Sequence, residues 1–390
     1  MDFADGRQRL LLELLRAGLD AVDGRRCVRD ALATRPPAPR AAPVWAAAVG
    51  KAAAAMALGA ADALGDRLER VLIITPGAYR DPEIESRPGV QVHESAHPVP
   101  DERSLAAGQR LLDWVDELPE AAAPLFLISG GASSLVEVLE PGVTLEELEQ
   151  LSANWLAEGI AIGELNARRA RISRIKGGRL AAHLRGRAAL ALFISDVPDD
   201  DPAVIGSGLL GPASGSVDRI ERHVVASVDR AIEAAAQAAS QRGLTVAPVH
   251  ERFEGDATRL AARFAHELLV GNTQVRVWGG ESTVRLPPHP GRGGRNQHLA
   301  LAAARFLPEY PELLLLAAGT DGTDGPTDAA GGLADADTCA RLALAGLDAD
   351  DCLARADAGT ALAAAGGLVR TGPTGTNVAD LVIGLKLPPG

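Results

Sequence analysis

Lysine occurs only three times in this 390-residue chain, at Lys51, Lys176 and Lys386, and the other 36 of its 39 Lys and Arg residues are arginine. Two of the three adjoin glycine, as Gly50-Lys51 and Lys176-Gly177. A compact ammonium on a slim stem meets a phosphate as a point charge, which the planar fork of arginine does not reproduce. Lys51 and Lys176 are therefore candidates for an anion site, although an Ala- and Arg-rich composition would also leave a few lysines behind. Lys386 has no motif around it and reads as a surface residue.

Glycine clusters at predicted strand ends supply the rest of such a site. Ser129-Gly130-Gly131-Ala132-Ser133-Ser134 directly follows an apolar run ending at Ile128. Tight backbone and small hydroxyls there let successive N–H groups surround a phosphate or carboxylate, and the same residues suit an ordinary strand-to-helix turn. Ser195 to Pro202 concentrates Asp196, Asp199, Asp200 and Asp201. Carboxylates so placed can hold a divalent cation or take a proton from a hydroxyl. Asp196, next to the strand, is the candidate; Asp199 and Asp201 read as a solvated loop.

In the second half, Gly279-Gly280-Glu281 ends a strand, and Gly291 to Gln297 opens a helix with Arg295 and Asn296 in its first turn, where dipole and unpaired N–H groups favour an anion. The Asp-rich stretch Thr320 to Asp328 lacks the spacing of an EF-hand loop. Thr371 to Asn377 is hydroxyl-rich and punctuated by glycine. Asparagine is scarce, and Asn296 and Asn377 fall in these clusters while Asn166 lies near Lys176. His97, in a loop before Pro98, either fixes that loop or reaches substrate.

Several chemistries are excluded. Alanine after Lys51 rules out a Walker motif, no G-x-S-x-G elbow is present, and no G-x-G-x-x-G both follows a strand and opens a helix. Anion-binding loops, a few carboxylates and one or two lysines remain, which are the parts phosphoryl transfer needs.

The elements that must position these residues alternate in type. Apolar runs Val44 to Val49, Val71 to Thr75, Leu125 to Ser129 and Ala188 to Ser195 read as buried strands separated by helices, hence a parallel sheet with function at the strands' carboxyl ends. Val217 to Gly243 reads as one long helix. Less regular strands follow at Thr273 to Trp278, Ser282 to Leu286, Leu313 to Ala317 and Asp380 to Leu387, suiting a mixed sheet. The expected division is a Rossmann-like domain over 1–240 and a smaller α/β domain over 241–390, whose last strand could rejoin the first.

Composition bounds the partners. A formal net charge of −12 argues against nucleic acid and anionic membranes, and 3% aromatics leaves few stacking surfaces. Three cysteines without C-x-x-C spacing fit a reducing, cytoplasmic setting, and no targeting or spanning segment is expected.

Taken together the motifs resemble the glycerate 2-kinase family, the class II glycerate kinases with a MOFRL domain. The resemblance runs through GKAAAAM from Gly50, HPVPDE from His97, ISGGASSL from Ile128, ELNARRARISRIKGGRLA from Glu164 and SDVPDDDP from Ser195. It continues through GGESTV from Gly279, GRGGRNQ from Gly291, GTDGTDGPTDAAG from Gly319 and TGPTGTNVADL from Thr371. It implies transfer of the ATP γ-phosphate to the 2-hydroxyl of D-glycerate with Mg²⁺, by two α/β domains with the active site in a cleft. Lys51 and Arg295 match the family's two charged cleft positions.

On that basis Lys51 and Arg295 neutralise the phosphoryl group or the glycerate carboxylate, Ser129, Gly130, Gly131, Ser133 and Ser134 cradle an anionic oxygen, and Asp196 orients or deprotonates the attacking hydroxyl. Glu281 or Asp321 serves Mg²⁺ or the ribose, Asn296 and Asn377 contact substrate or phosphate, and Asn166 and Lys176 either do the same or buttress the sheet edge. The partners are then small molecules, and a homodimer is allowed. Three departures stand out: Asp199 where the family has glycine, Leu209-Leu210 in place of Pro-Thr, and His298 in place of glutamate. Hydroxypyruvate reduction and non-catalytic sensing of a phosphorylated three-carbon acid are the competing readings.

Overall fold

A computed structural model of the chain describes residues 6–158, 168–212 and 219–388. Its strands are β1 Val44–Val49, β2 Leu68–Thr75, β3 Val90–Glu94, β4 Ala123–Ile128, β5 Ala189–Ile194, β6 Ile220–Ala226, β7 Val246–Asp256, β8 Val275–Thr283, β9 Leu313–Gly319, β10 Gly331–Ala334, β11 Leu368–Val369 and β12 Asp380–Lys386.

Two compact units emerge, one comprising Asp23–Ser227 with Gly375–Asn377, the other Met1–Val22, Val228–Thr374 and Val378–Gly390. The first holds a six-stranded sheet of order β3-β2-β1-β4-β5-β6, parallel at every pairing. β1, β4 and β5 are buried along their whole length, which is why they read as unbroken apolar runs. The chain order reverses between β1 and β4, and in open α/β sheets ligands bind at such a reversal, beyond the carboxyl ends of the strands. Register aligns Val49 with Ile128, and Ile128 with Phe193, so the residues after all three strands emerge at one edge.

Glycine lets the alanine-rich helix Ala53–Leu64 lie close to the helix Gly24–Thr34: a Cβ on Gly59 would stand 2.2 Å from the Arg25 carbonyl oxygen. Trp45, Trp114 and Phe126 pack together in the core, the first pair tilted at 48° with centroids 6.2 Å apart and the second edge-on at 5.8 Å.

The second unit is built on a mixed sheet of order β11-β10-β9-β12-β8-β7, parallel only between β7 and β8. Its core gathers Phe253, Phe264 and Trp278. The expected domain limits differ from these compact units. The helices Gly6–Ala21 and Val228–Ser240 belong to the mixed-sheet unit, where Gly18 packs against Ala231 and Leu381. β12 does not rejoin the parallel sheet; it sits between β9 and β8, and only the three residues Gly375–Asn377 lie with the first unit.

The single helix expected over Val217 to Gly243 is a strand and a helix. Ile220–Ala226 pairs with β5 as an edge strand, and its Glu221, Arg222 and His223 conceal the alternation that would have marked it. The two strands expected at Thr273 to Trp278 and Ser282 to Leu286 are instead the single strand β8, which runs through Gly279-Gly280.

Candidate functional site

In the parallel-sheet unit, three loops converge at the reversal point. Past β1, the Lys51 N–H donates to the Gly130 carbonyl at 2.9 Å, and the Ala52 N–H donates to Ser129 Oγ at 3.0 Å, so the Ser129 hydroxyl ties the loop after β4 to the residue preceding the helix Ala53–Leu64. Gly50 has φ +132, and a Cβ there would stand 2.1 Å from Ser129 Oγ; only glycine allows the two loops this approach. Gly131 is left-handed at φ +85 and faces both the His97 ring and the Lys51 stem, which would lie 3.0 Å and 3.4 Å from an added Cβ. The half-buried Lys51 holds its ammonium 6.0 Å from the Tyr79 ring centroid, at the outer range of a cation–π contact.

Gly130 is the hub. A Cβ on it would fall 1.9 Å from Asn377 Nδ2 and 2.2 Å from Asp196 Oδ2, and Asn377 Nδ2 donates to Asp196 Oδ2 at 3.4 Å. Lys51, Ser129, Gly130, Gly131, Asp196 and Asn377, spread over more than 300 positions of sequence, are thus brought together, with His97 beside them. Backbone donors, one ammonium and one carboxylate in such a cluster can hold an anion and orient a hydroxyl.

Other expected residues are placed differently. Ser133 Oγ is hydrogen-bonded to Ser207 Oγ at 2.6 Å, and Ser134 Oγ donates to the Gly131 carbonyl at 3.1 Å, so both hydroxyls brace the loop. Lys176 is not at the cluster's surface; it is 2% exposed and ion-paired with the fully buried Glu137. Burial pulls its ammonium below the usual lysine range, against the attraction of Glu137. That pairing is the role its scarcity had concealed. Asn166 lies outside the described residues. In the acidic loop the left-handed residue is Asp200, φ 53, one position past Asp199, and Leu209 and Leu210 are fully buried core residues.

In the mixed-sheet unit, the anion expected at the start of the helix Arg295–Ala304 is supplied by the chain itself. The Asp324 carboxylate accepts from the Asn296 N–H at 3.0 Å and the Gln297 N–H at 2.7 Å, with Asn296 Nδ2 at 3.3 Å. Gly294 makes room for it, since a Cβ there would stand 2.3 Å from Asp324 Cγ. Asn296 is therefore buried, with its backbone and side-chain nitrogens on Asp324. Burial pushes the Asp324 carboxyl up to about 7, against the pull of the Gln297 and Asn296 N–H groups.

Arg295 is held on two sides. Its Nε and Nη2 donate to the two oxygens of the buried Asp380 at 2.7 and 3.0 Å, and its Nη1 pairs with Glu281. Burial disfavours the guanidinium charge, but Asp380 and Glu281 outweigh it and hold Arg295 above its ordinary range. Asp380, between Gly280 on β8 and Gly319 on β9, is itself pushed up by complete burial against the attraction of Arg295. Asp321 turns inward and accepts from the Thr323 N–H at 3.0 Å. His298 shares a hydrogen bond with Thr258 Oγ1 at 3.1 Å, a local partnership within the helix layer.

Asp380, Asp324 and Glu137 were missed in the sequence. Asp380 carried a signal: a carboxylate opening the apolar run Leu381 to Leu385 needs a buried cation. Among the described residues no group of three His, Cys, Asp or Glu side chains forms a metal cage, and no helix is long and apolar enough to cross a membrane.

Comparisons with known proteins show that a chain with this pair of units, one on a parallel sheet and one on a mixed sheet, is an enzyme of the kinase class. The chain belongs to the glycerate 2-kinase family. Residues 10–240 match the model of a domain of unknown function (DUF4147), and residues 274–380 match the MOFRL family. A D-glycerate 2-kinase of Thermotoga maritima is 34% identical over 97% of this chain and 98% of its own length. A crystal structure of a glycerate kinase from the same organism superposes with a TM-score of 0.85 at 33% identity, covering 97% of this chain and 99% of that one. A putative hydroxypyruvate reductase of Agrobacterium vitis is 34% identical over 85% of this chain and 96% of its own length.

Proposed function

We propose that the chain transfers the γ-phosphate of ATP to the 2-hydroxyl of D-glycerate, forming 2-phosphoglycerate and ADP. The observation that carries this reading is the convergence of Lys51, Gly130, Gly131, Asp196 and Asn377 at the reversal point of the parallel sheet. Relatives named D-glycerate 2-kinase and glycerate 2-kinase support the choice of substrate.

Phosphoryl transfer asks for positioning and charge neutralisation more than for covalent chemistry. Lys51 supplies a positive point charge to an anionic oxygen, and the backbone around Gly130 and Gly131 lines the same oxygen's approach. Asp196, held by the Asn377 amide, orients the attacking hydroxyl and accepts its proton. Arg295 neutralises a second anionic group, and Asp380 fixes the plane of its guanidinium. Mg²⁺ takes one or two hard carboxylate oxygens and keeps its waters, so the Asp321 carboxylate is a donor of the right type, and the ion would neutralise phosphate charge. Three unbridged cysteines, Cys27, Cys339 and Cys352, suit the cytoplasm.

A ³¹P NMR assay with ATP, Mg²⁺ and D-glycerate, run beside NADH with hydroxypyruvate, tests the reading. A new phosphomonoester at the 2-position is expected. NADH oxidation without a phosphoester would give the chain the reductase activity instead, and ligand binding without turnover would make it a sensor.

A further inference from the structure

Arg295 presents an asymmetry that the proposed reaction does not by itself explain. Its inner edge, Nε and Nη2, grips both oxygens of Asp380, which is 1% exposed. Its outer nitrogen, Nη1, is taken by Glu281, whose side chain is 54% exposed at the end of β8. A buried fork-to-fork pair fixes the guanidinium plane, because breaking it would strand a charge without water. An exposed pair is weak, and its carboxylate can be exchanged for another oxyanion at little cost. The two carboxylates are therefore unequal: one is a mount and the other is removable.

We propose that Glu281 is an exchangeable internal oxyanion on Arg295, which a phosphate or carboxylate group of the substrate displaces, and that its charge sets how tightly that group binds. Asp380 is a positioning residue, acting through Arg295. The local charge balance favours the exchange. Asp380 and Glu281 both face one guanidinium, and the Asp380 carboxyl feels Glu281 as a like charge. The excess negative charge is relieved when Glu281 swings toward water, to which it already has access. Glu281 thereby raises the affinity threshold for weakly charged anions, a specificity role rather than a metal-ligand role.

This inference rests on the reading of Arg295 as an anion-binding residue, and its test measures binding rather than turnover. The full chain is titrated calorimetrically, without metal, with inorganic phosphate and separately with D-glycerate. Glu281→Gln is expected to tighten at least one of the two by about two- to fivefold, the size of an exposed ion pair. The ligand that tightens identifies whether Arg295 takes a phosphate or a carboxylate. Asp380→Asn is expected to weaken the same ligand, and the opposite signs separate exchange from a general loosening of the fold. Unchanged or weaker binding of both ligands to Glu281→Gln, including no binding at all, overturns the proposal. Because the substituted side chain is exposed, the variant is expected to fold. Tighter binding without any phosphoester formed would leave the exchange standing and sink the kinase reading.

Discussion

At the carboxyl edge of β1, β4 and β5 one ammonium and one carboxylate stand against glycine backbone, whereas at the start of the helix Arg295–Ala304 one guanidinium is caged among carboxylates. The first arrangement depends on how closely loops approach one another, so its weak points are Cβ atoms. The second depends on charge pairing in a dry environment, so its weak points are protons and partners. On the proposed reading, the difference teaches that an anion site can be prepared either by shaping the backbone or by holding a cation ready with internal anions.

The largest effect should come from crowding the first arrangement. Gly130→Ala puts a methyl group into the space of the Asn377 amide and the Asp196 carboxylate, both ends of movable side chains. The fold should survive, as far-UV circular dichroism would report, while turnover falls by about 100-fold, the scale of an ångström's misplacement. Retained turnover would break the view that this site is a matter of backbone approach.

Next comes the buried Lys176–Glu137 pair. Lys176→Met alone should destabilise the chain by about 3–5 kcal/mol, because Glu137 is left charged and dry, and Glu137→Leu added to it should restore most of that loss. Denaturant midpoints measure this. A change in the Michaelis constant with stability intact would return Lys176 to the substrate.

The smallest effect concerns pH. Folded Asp324 binds its proton up to about pH 7, whereas an unfolded chain releases it near 3.9, the ordinary aspartate value of about that size. The folded state therefore holds the extra proton between those values. Its contribution to stability is full below the unfolded value and is lost as pH rises through the folded one, amounting to a few kcal/mol at most. Asp324→Asn should flatten the decline of the urea midpoint across roughly pH 4–7, and an unchanged slope would show that Asp324 does not titrate there.

The legible parts of the molecule were those whose cause is local. β1 occupies the expected Val44 to Val49, because six consecutive apolar residues between proline and glycine leave a buried strand few alternatives. The Ser129 loop was legible for the same reason, as glycine and serine directly after a buried strand. The Arg295 cage was only half legible. Arg295 and Glu281 stood out beside glycine, but Asp380, which grips Arg295, lies 85 positions beyond it, and Asp324, which accepts from the Asn296 N–H, lies 28 positions beyond that residue, so neither partnership can be read from neighbouring sequence. Lys176 misled because rarity and a neighbouring glycine do not distinguish a ligand-binding lysine from a buried one. That distinction depends on Glu137, 39 residues away.

The measurement closest to the central claim is the turnover of Lys51→Arg with ATP, Mg²⁺ and D-glycerate, set beside the affinity of the same variant for each substrate. Positive charge is kept and only its shape changes. The expected result is a loss of about 100-fold in kcat with the chain still folded, since a preorganised charge is being moved. Near-normal turnover with unchanged substrate binding would contradict the account, and would mean that the ammonium beside Gly131 does not take part in the reaction.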